Sequence, residues 1–271
     1  MMELWKKILW NILPNRKKEE QHSDARKTGA SKSPKDNRDI LATICRGPRP
    51  TPAIFELKGL SRVENQGRYN SCVAQAITTA IETLAKKYGV PNYMELSRMH
   101  CWNEARQLTW GAGWKVNKGV FIRDGWKAAY NGVTIEKLFP YQKAYWLRDL
   151  DKSFIWRWYP PFNYKFLRFQ NKGETEAAIK EVLLDKRLPI VFGISITHSF
   201  SFLTGKEVFK PRAGEGRGGG HAMLIVGWDD TRKAFKIMNS WGTRWGDRGF
   251  FWADKDWILN EAWDFSYCER K

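Results

Sequence analysis

The sequence predicts an α+β fold with two segregated lobes. Two observations carry that expectation: amphipathic helical patterns fill the first half of the folded region, and short apolar runs punctuated by Gly, Pro and Asp fill the second. A third sets the scale. With 271 residues and 42% hydrophobic content, the chain suits one large domain or two lobes and has enough apolar material to exclude wholesale disorder.

The first fifty residues differ from the rest of the chain. In Met1–Leu13 the residues Leu4, Trp5, Ile8, Leu9, Ile12 and Leu13 share one helical face, and Pro14 ends the pattern. This segment 1–14 lacks the features of a secretory signal: its apolar part is short, Asn11 breaks it and no A-x-A-like site follows. It is expected to be a loosely ordered terminus, to lie on an anionic membrane surface or an acidic protein, to dock on the domain behind it, or to lie across a cleft as an inhibitor. Residues 15–51 are polar and basic and read as a flexible linker; His22 lies there. The first fifty residues hold twelve Lys/Arg and six Asp/Glu, so +6 of the formal +17 resides there and the remainder is spread over the domain. The folded domain is expected at 52–271, with a helical lobe over about 62–158 and a β-rich lobe over about 159–265.

Within it, Ser71–Lys87 reads as a helix, with Val73, Ala76, Ile77, Ala80, Ile81 and Leu84 on one face and Asn70 or Ser71 as its cap. Leu96–Trp110 and Phe121–Tyr130 follow, the latter stopped by Asn131-Gly132, and Glu174–Lys186 is a fourth helix. Strands are expected at Leu188–Ile196, Ala222–Trp228, Ala234–Met238 and Phe250–Ala253. No apolar run reaches the ~18 residues of a transmembrane helix, and the four cysteines form no CxxC pair that would bind zinc. The run Trp156–Lys165 interleaves cations with aromatics. Such a run either stacks on bases or packs its rings across the lobes, and packing is the expectation here, with nucleic acid not a partner.

Four residues stand out chemically. Cys72 opens an amphipathic helix, where the helix dipole favours a thiolate. The other thiols, Cys45, Cys101 and Cys268, lack such a setting. His221 follows three glycines and opens an apolar strand, a place from which a side chain lines a cleft; His100 and His198 read as structural and strand-end residues. Asn239, eighteen residues after His221, is placed to accept the imidazole N–H. Gln66, six residues before Cys72, can donate to a developing oxyanion together with a helix N-terminal N–H.

These boxes resemble the papain-like cysteine peptidases. The segments Gln66-Gly67-Arg68-Tyr69-Asn70-Ser71-Cys72-Val73-Ala74, Gly220-His221-Ala222 with Val226-Gly227-Trp228, and Asn239-Ser240-Trp241-Gly242 followed by Trp245-Gly246 and Gly249-Phe250 occur in the family's order. Glu95-Leu96-Ser97, Phe139-Pro140-Tyr141 and Leu188-Pro189-Ile190 are smaller echoes, and the likeness spans roughly residues 52–265. Its style is similar to a prokaryotic or phage branch. The resemblance implies a two-lobed papain-like fold with the cleft between the lobes, no metal or organic cofactor, a monomer and a peptide or protein substrate. It implies Cys72 as nucleophile, His221 as base and then acid, Asn239 as its orienter, and Gln66 with the Cys72 N–H as oxyanion hole. Trp241 would shield the His–Asn bond, Trp245 would flank the leaving group, and Gly119 and Gly220 would bind substrate backbone. The expected activity is endopeptidase hydrolysis through a thioester. The same triad would also serve an isopeptidase, deamidase or transferase, and an inactive homologue would bind peptides only. Where the family pairs a cysteine three residues before the nucleophile, this chain has Tyr69, which points to a reducing, cytoplasmic setting.

Overall fold

The computed structural model describes residues 27–37, 39–42, 50–90, 95–142, 162–169 and 171–271. Met1–Leu13, His22, Cys45 and the Trp156–Pro161 part of the aromatic run lie outside the described residues.

The organising element is α1 (Cys72–Lys87), buried from Cys72 through Ala85. Such a helix has few polar positions to present to water, so it sits between two layers rather than on a surface. Lys86 and Lys87 complement its C-terminal dipole, and Gly89, at φ 56, ends it in a left-handed turn. Ser71 stands at the cap position but makes no capping hydrogen bond; its hydroxyl goes to Tyr141 Oη instead. Asn70 does not cap either, because its amide reaches the Asn117 carbonyl at 2.7 Å. The entry to α1 is thus held by side chains from elsewhere in its lobe.

On one side α1 packs against α2 (Arg98–Trp110) and α3 (Ile122–Asn131). Gly125 permits the α3 contact, since a Cβ there would lie 2.6 Å from both Val73 Cγ1 and Ile77 Cδ1. Ser97 caps α2 by accepting from the His100 N–H at 3.0 Å, and Gly132 ends α3. His100 is buried, accepts the Thr134 N–H at 3.3 Å and is held down at about 4 by burial, which fits a structural histidine. Glu82 of α1 and Arg98 of α2 form a buried pair at 2.6 Å, with the Ser61 hydroxyl and Leu96 N–H also donating to the carboxylate. That coordination is what makes a buried charge pair tolerable.

On the other side lies an eight-stranded sheet, antiparallel except for one parallel pair, Val208–Phe209 with Phe250–Asp254. Its strands are β2 (Ile54–Glu56), β4 (Phe162–Phe166), β5 (Ile190–Thr197), β6 (Val208–Phe209), β7 (Arg217–Asp229), β8 (Ala234–Met238), β9 (Phe250–Asp254) and β10 (Trp263–Arg270). They run in the order β4-β10-β5-β7-β8-β9-β6, with β2 added on β7. Two further helices cover the sheet: α4 (Lys172–Glu181), which continues into a π turn at Val182–Lys186, and α5 (Lys255–Glu261). β7 is buried continuously from His221 to Asp229, so it reads as one apolar run rather than an alternation. Phe162 and Tyr164 of β4 pack on Trp126, the latter stacked at 5.7 Å, so within the described part of the Trp156–Lys165 run the rings pack. The Trp126 indole donates to Ser266 Oγ at 2.9 Å and ties the lobes together.

Part of the expected linker is folded. Residues 27–37 and 39–42 run along the domain, and β1 (Ala30–Ser31) pairs in parallel with β3 (Val120–Phe121). Polar composition suggested a flexible chain; the ordering comes from backbone pairing and buried ion pairs, neither of which composition displays.

Candidate active site

The site forms where the first turn of α1 meets the His221 end of β7. Cys72 is the first residue of α1 and is fully buried. Its Sγ accepts the Ala222 N–H from β7 at 3.4 Å. The residue beside Ala222 is His221, whose Nε2 meets Asn239 Oδ1 at 2.8 Å. Asn239 follows the last residue of β8, and its own N–H donates to the Gly249 carbonyl at 2.9 Å. His221 Nδ1 has no hydrogen-bond partner among the described residues. With Nε2 donating to Asn239, Nδ1 is the nitrogen left for proton transfer.

Gln66 joins this group from the other lobe. Its Nε2 donates to the Lys27 and Tyr69 carbonyls at 3.0 and 2.9 Å, and its Oε1 accepts from Ser240 Oγ at 2.8 Å. An amide fixed at both ends costs no reorganisation when charge develops beside it. Trp241 lies over the imidazole at 4.9 Å between ring centroids. Trp245 is only 2% exposed and packs behind Trp241, with its indole donating to the Ser201 carbonyl, so it backs the cleft rather than lining it. Phe200 was not singled out from sequence. It is the hub of this aromatic group, lying against His221, Trp241, Trp245 and Phe251. Nothing in the local run Ser199–Phe202 distinguishes it from an ordinary core residue.

Gly119 and Gly220 face each other across the cleft, and the chain's own N-terminal segment lies between them. The Gly29 N–H donates to the Gly220 carbonyl at 2.8 Å, and the Gly29 carbonyl accepts from the Val120 N–H at 2.9 Å. A Cβ on Gly119 would come within 2.2 Å of Gly29 O, and one on Gly220 within 2.1 Å of Ala30 O. A Cβ on Gly29 itself would come within 2.2 Å of Asn70 O. The Lys27 carbonyl meanwhile occupies the Gln66 donor and also accepts from the Trp241 indole at 3.2 Å. The run of small residues Thr28-Gly29-Ala30-Ser31 was the available sequence signal, obscured by its basic surroundings.

The electrostatics follow from this closure. Burial pushes the Cys72 thiol up to about 12 and holds His221 down at about 4, the Asn239 contact opposing the latter. Both groups are therefore neutral near pH 7, the unreactive partition of their shared proton. Among the described residues, no group of His, Cys, Asp or Glu is arranged to hold a metal, and Cys72, Cys101 and Cys268 are unpaired.

Residues 55–261 match the family described as papain family cysteine protease. The chain belongs to the papain family of cysteine proteases. It is 28% identical to an uncharacterized peptidase C1-like protein of Acanthamoeba polyphaga mimivirus, over 89% of this chain and 88% of that protein. It is also 28% identical to cathepsin Q of Rattus norvegicus, but over 73% of this chain and 56% of that one. Among solved structures, xylellain, a cysteine protease of Xylella fastidiosa, superposes with a TM-score of 0.76 at 25% identity, covering 91% of this chain and 98% of its own. The two-lobed α+β papain fold and cysteine peptidase chemistry stand on these likenesses and on the fold described above.

Proposed function

We propose that this papain-family peptidase is an endopeptidase that works through Cys72, and that the present conformation is its self-masked state. The observation that carries the reading is the convergence of Cys72, the His221–Asn239 pair and Gln66 on one strip of backbone, residues 27–31. In the open state the Cys72 thiolate attacks a substrate carbonyl carbon, and the Gln66 amide and the Cys72 N–H hold the oxyanion. The His221 imidazolium then protonates the leaving amine, and water hydrolyses the thioester with His221 as base. In the masked state a carbonyl, Lys27 O, sits on the oxyanion donor, and Gly29 saturates the backbone groups that a peptide substrate would use.

The finer assignments are proposals of the same kind. A prokaryotic or phage branch is supported by the likeness to xylellain of Xylella fastidiosa, and a reducing, cytoplasmic setting by Tyr69 and three unpaired thiols. An anionic membrane or acidic protein as partner of Met1–Leu13 rests on that segment's pattern and charge.

The test is labelling of Cys72 by a thiol-reactive epoxide, read by intact mass, in the full chain and in Gly29→Val, whose side chain has no room against Asn70. Gly29→Val should label roughly tenfold faster or more, the effect of 1.4 kcal/mol or more of lost closure, and should cleave peptides. Labelling should vanish in Cys72→Ser and collapse in His221→Ala. A folded Gly29→Val that labels no faster than the parent removes the mask; labelling indifferent to His221→Ala removes the peptidase.

A further inference from the structure

Two buried side-chain amides near the site each leave one atom without a hydrogen-bond partner among the described residues. Asn239 directs Oδ1 to His221 Nε2 and to the Ser240 N–H, and its Nδ2 has none. Gln75, three residues past Cys72 on α1, directs Nε2 to Ser71 Oγ, and its Oε1 has none. Both residues are at least 97% buried, and both line one small cavity between α1 and the β7–β8 hairpin, alongside Glu64, Thr79, Ala222 and Ser240. That cavity offers about 10 Å³ for the centre of a water molecule, close to the room one buried water needs. An orphan donor and an orphan acceptor on two residues that line the same water-sized space are suited to be the two ends of a bridge.

We propose that one structural water sits there, accepting from Asn239 Nδ2 and donating to Gln75 Oε1, and that Gln75 is thereby a positioning residue for the His221–Asn239 pair. The reason lies in the symmetry of an amide. Asn239 has two flip-related orientations, and only one puts an oxygen on the imidazole N–H; the other sets two donors face to face. The Ser240 N–H selects the oxygen side. The water selects the nitrogen side and completes the discrimination. The titratable group of α1 nearest this strand is Cys72, whose Sγ accepts the N–H of Ala222, next to His221, at 3.4 Å. Glu64, on the cavity wall, is paired with Arg62 at 2.6 Å and Arg98 at 3.0 Å.

The consequence for catalysis rests on the peptidase reading, so two readouts are needed. A crystal structure of the full chain should show an ordered water within hydrogen-bonding reach of both atoms; an empty cavity, or one filled by a side chain, overturns the proposal. The second readout is the pH profile of Cys72 alkylation, taken in the Gly29→Val background. There Gln75→Leu should lower the neutral-pH rate roughly three- to tenfold, the weight of one hydrogen bond. It should also move the alkaline limb to lower pH, because a loosened Asn239 no longer favours the imidazolium. Gln75→Glu keeps a carbonyl acceptor and should restore both rate and limb. A Gln75→Leu protein that loses thermal stability with its alkaline limb unmoved shows a role in packing alone and sinks the proposal. If the peptidase reading itself fails, alkylation in the parent ignores His221→Ala while the water peak stands.

Discussion

Gln66 shows how much one side chain can be asked to do. Its amide nitrogen, the proposed oxyanion donor, anchors the Lys27 carbonyl, while its amide oxygen and backbone N–H both bind Ser240 across the lobe boundary. Truncating it therefore has effects of opposite sign. Gln66→Ala should reduce peptide turnover about 10²- to 10³-fold through the lost donor. Simple alkylation of Cys72 forms no oxyanion, and it should hold or rise as the mask loosens. Parallel falls in both rates would mean that Gln66 matters for folding and not for the hole. Residues of this kind were legible in the sequence because each lies in a short box whose spacing constrains chemistry: Gln66 six before Cys72, Asn239 eighteen after His221. Phe200, Gln75 and residues 27–31 were not, because each acts through contacts made only when distant segments meet.

At the scale of elements, the turn after α3 explains a motif that sequence alone left as an echo. Phe139-Pro140-Tyr141 exists to deliver the Tyr141 hydroxyl to the entry of α1, where it meets Ser71 Oγ and donates to the Gln66 carbonyl at 2.9 Å. Glu136 holds the turn in place by accepting the Tyr141 N–H at 2.6 Å. Burial raises the Glu136 carboxyl to about 7, against the opposing pull of the Tyr141 N–H and Arg98. A carboxyl with a folded pKa above its unfolded one binds its proton more tightly when folded, so its contribution is intact below about 4.5 and is lost as pH rises through about 7. Glu136→Gln keeps the acceptor and removes the charge. Its Tm should exceed the parent's at pH 8 by roughly 3 °C or more, what about 1 kcal/mol gives in a domain this size, and match it at pH 5. Equal Tm values at pH 8 would show the carboxylate to be adequately solvated. The elements themselves divided by legibility. Helices α1 to α4 and the apolar strands β5, β7, β8 and β9 could be read from the sequence, whereas the seven-residue α5 could not, and β10, Trp-Asp-Phe-Ser-Tyr-Cys-Glu-Arg, mixes charges with rings and is a strand because β4 and β5 flank it.

Over the whole molecule, the mask is a structure built across both lobes and not a loose plug. From the cleft the segment passes Ser33, whose N–H donates to Asp264 at 2.7 Å, and reaches Asp39. Asp39 takes Arg123 of α3 at 2.6 Å and Arg168, just beyond β4, at 2.5 Å, one cation from each lobe. The chain then pairs with Phe166 through Ile40 and Ala42. Closure is also linked to protons. His221 stands at about 4 when masked, chiefly through burial, against an ordinary value of about 6.5 when solvated. A group depressed in the closed state favours closure above the higher pKa and loses that contribution as pH falls through the window from about 6.5 to about 4. Asp264 works in the opposite direction, because burial raises its carboxyl and closure then takes up a proton. Cys72 is also neutral when masked, and on opening its proton passes to His221, so His221 draws a proton from solution only where no thiol supplies one; in Cys72→Ser the His221 shift dominates and acid should open the cleft. In Cys72→Ser, hydrogen exchange at the Gly29 N–H, expressed as a protection factor to remove intrinsic pH effects, should show protection falling by up to about tenfold per pH unit below 6.5. With His221→Ala added the fall should disappear, and with Asp264→Asn added it should steepen. Protection that stays flat from pH 6.5 to 4, or that falls identically with His221→Ala added, would place the proton linkage elsewhere and leave the mask to be released by a partner or by cleavage.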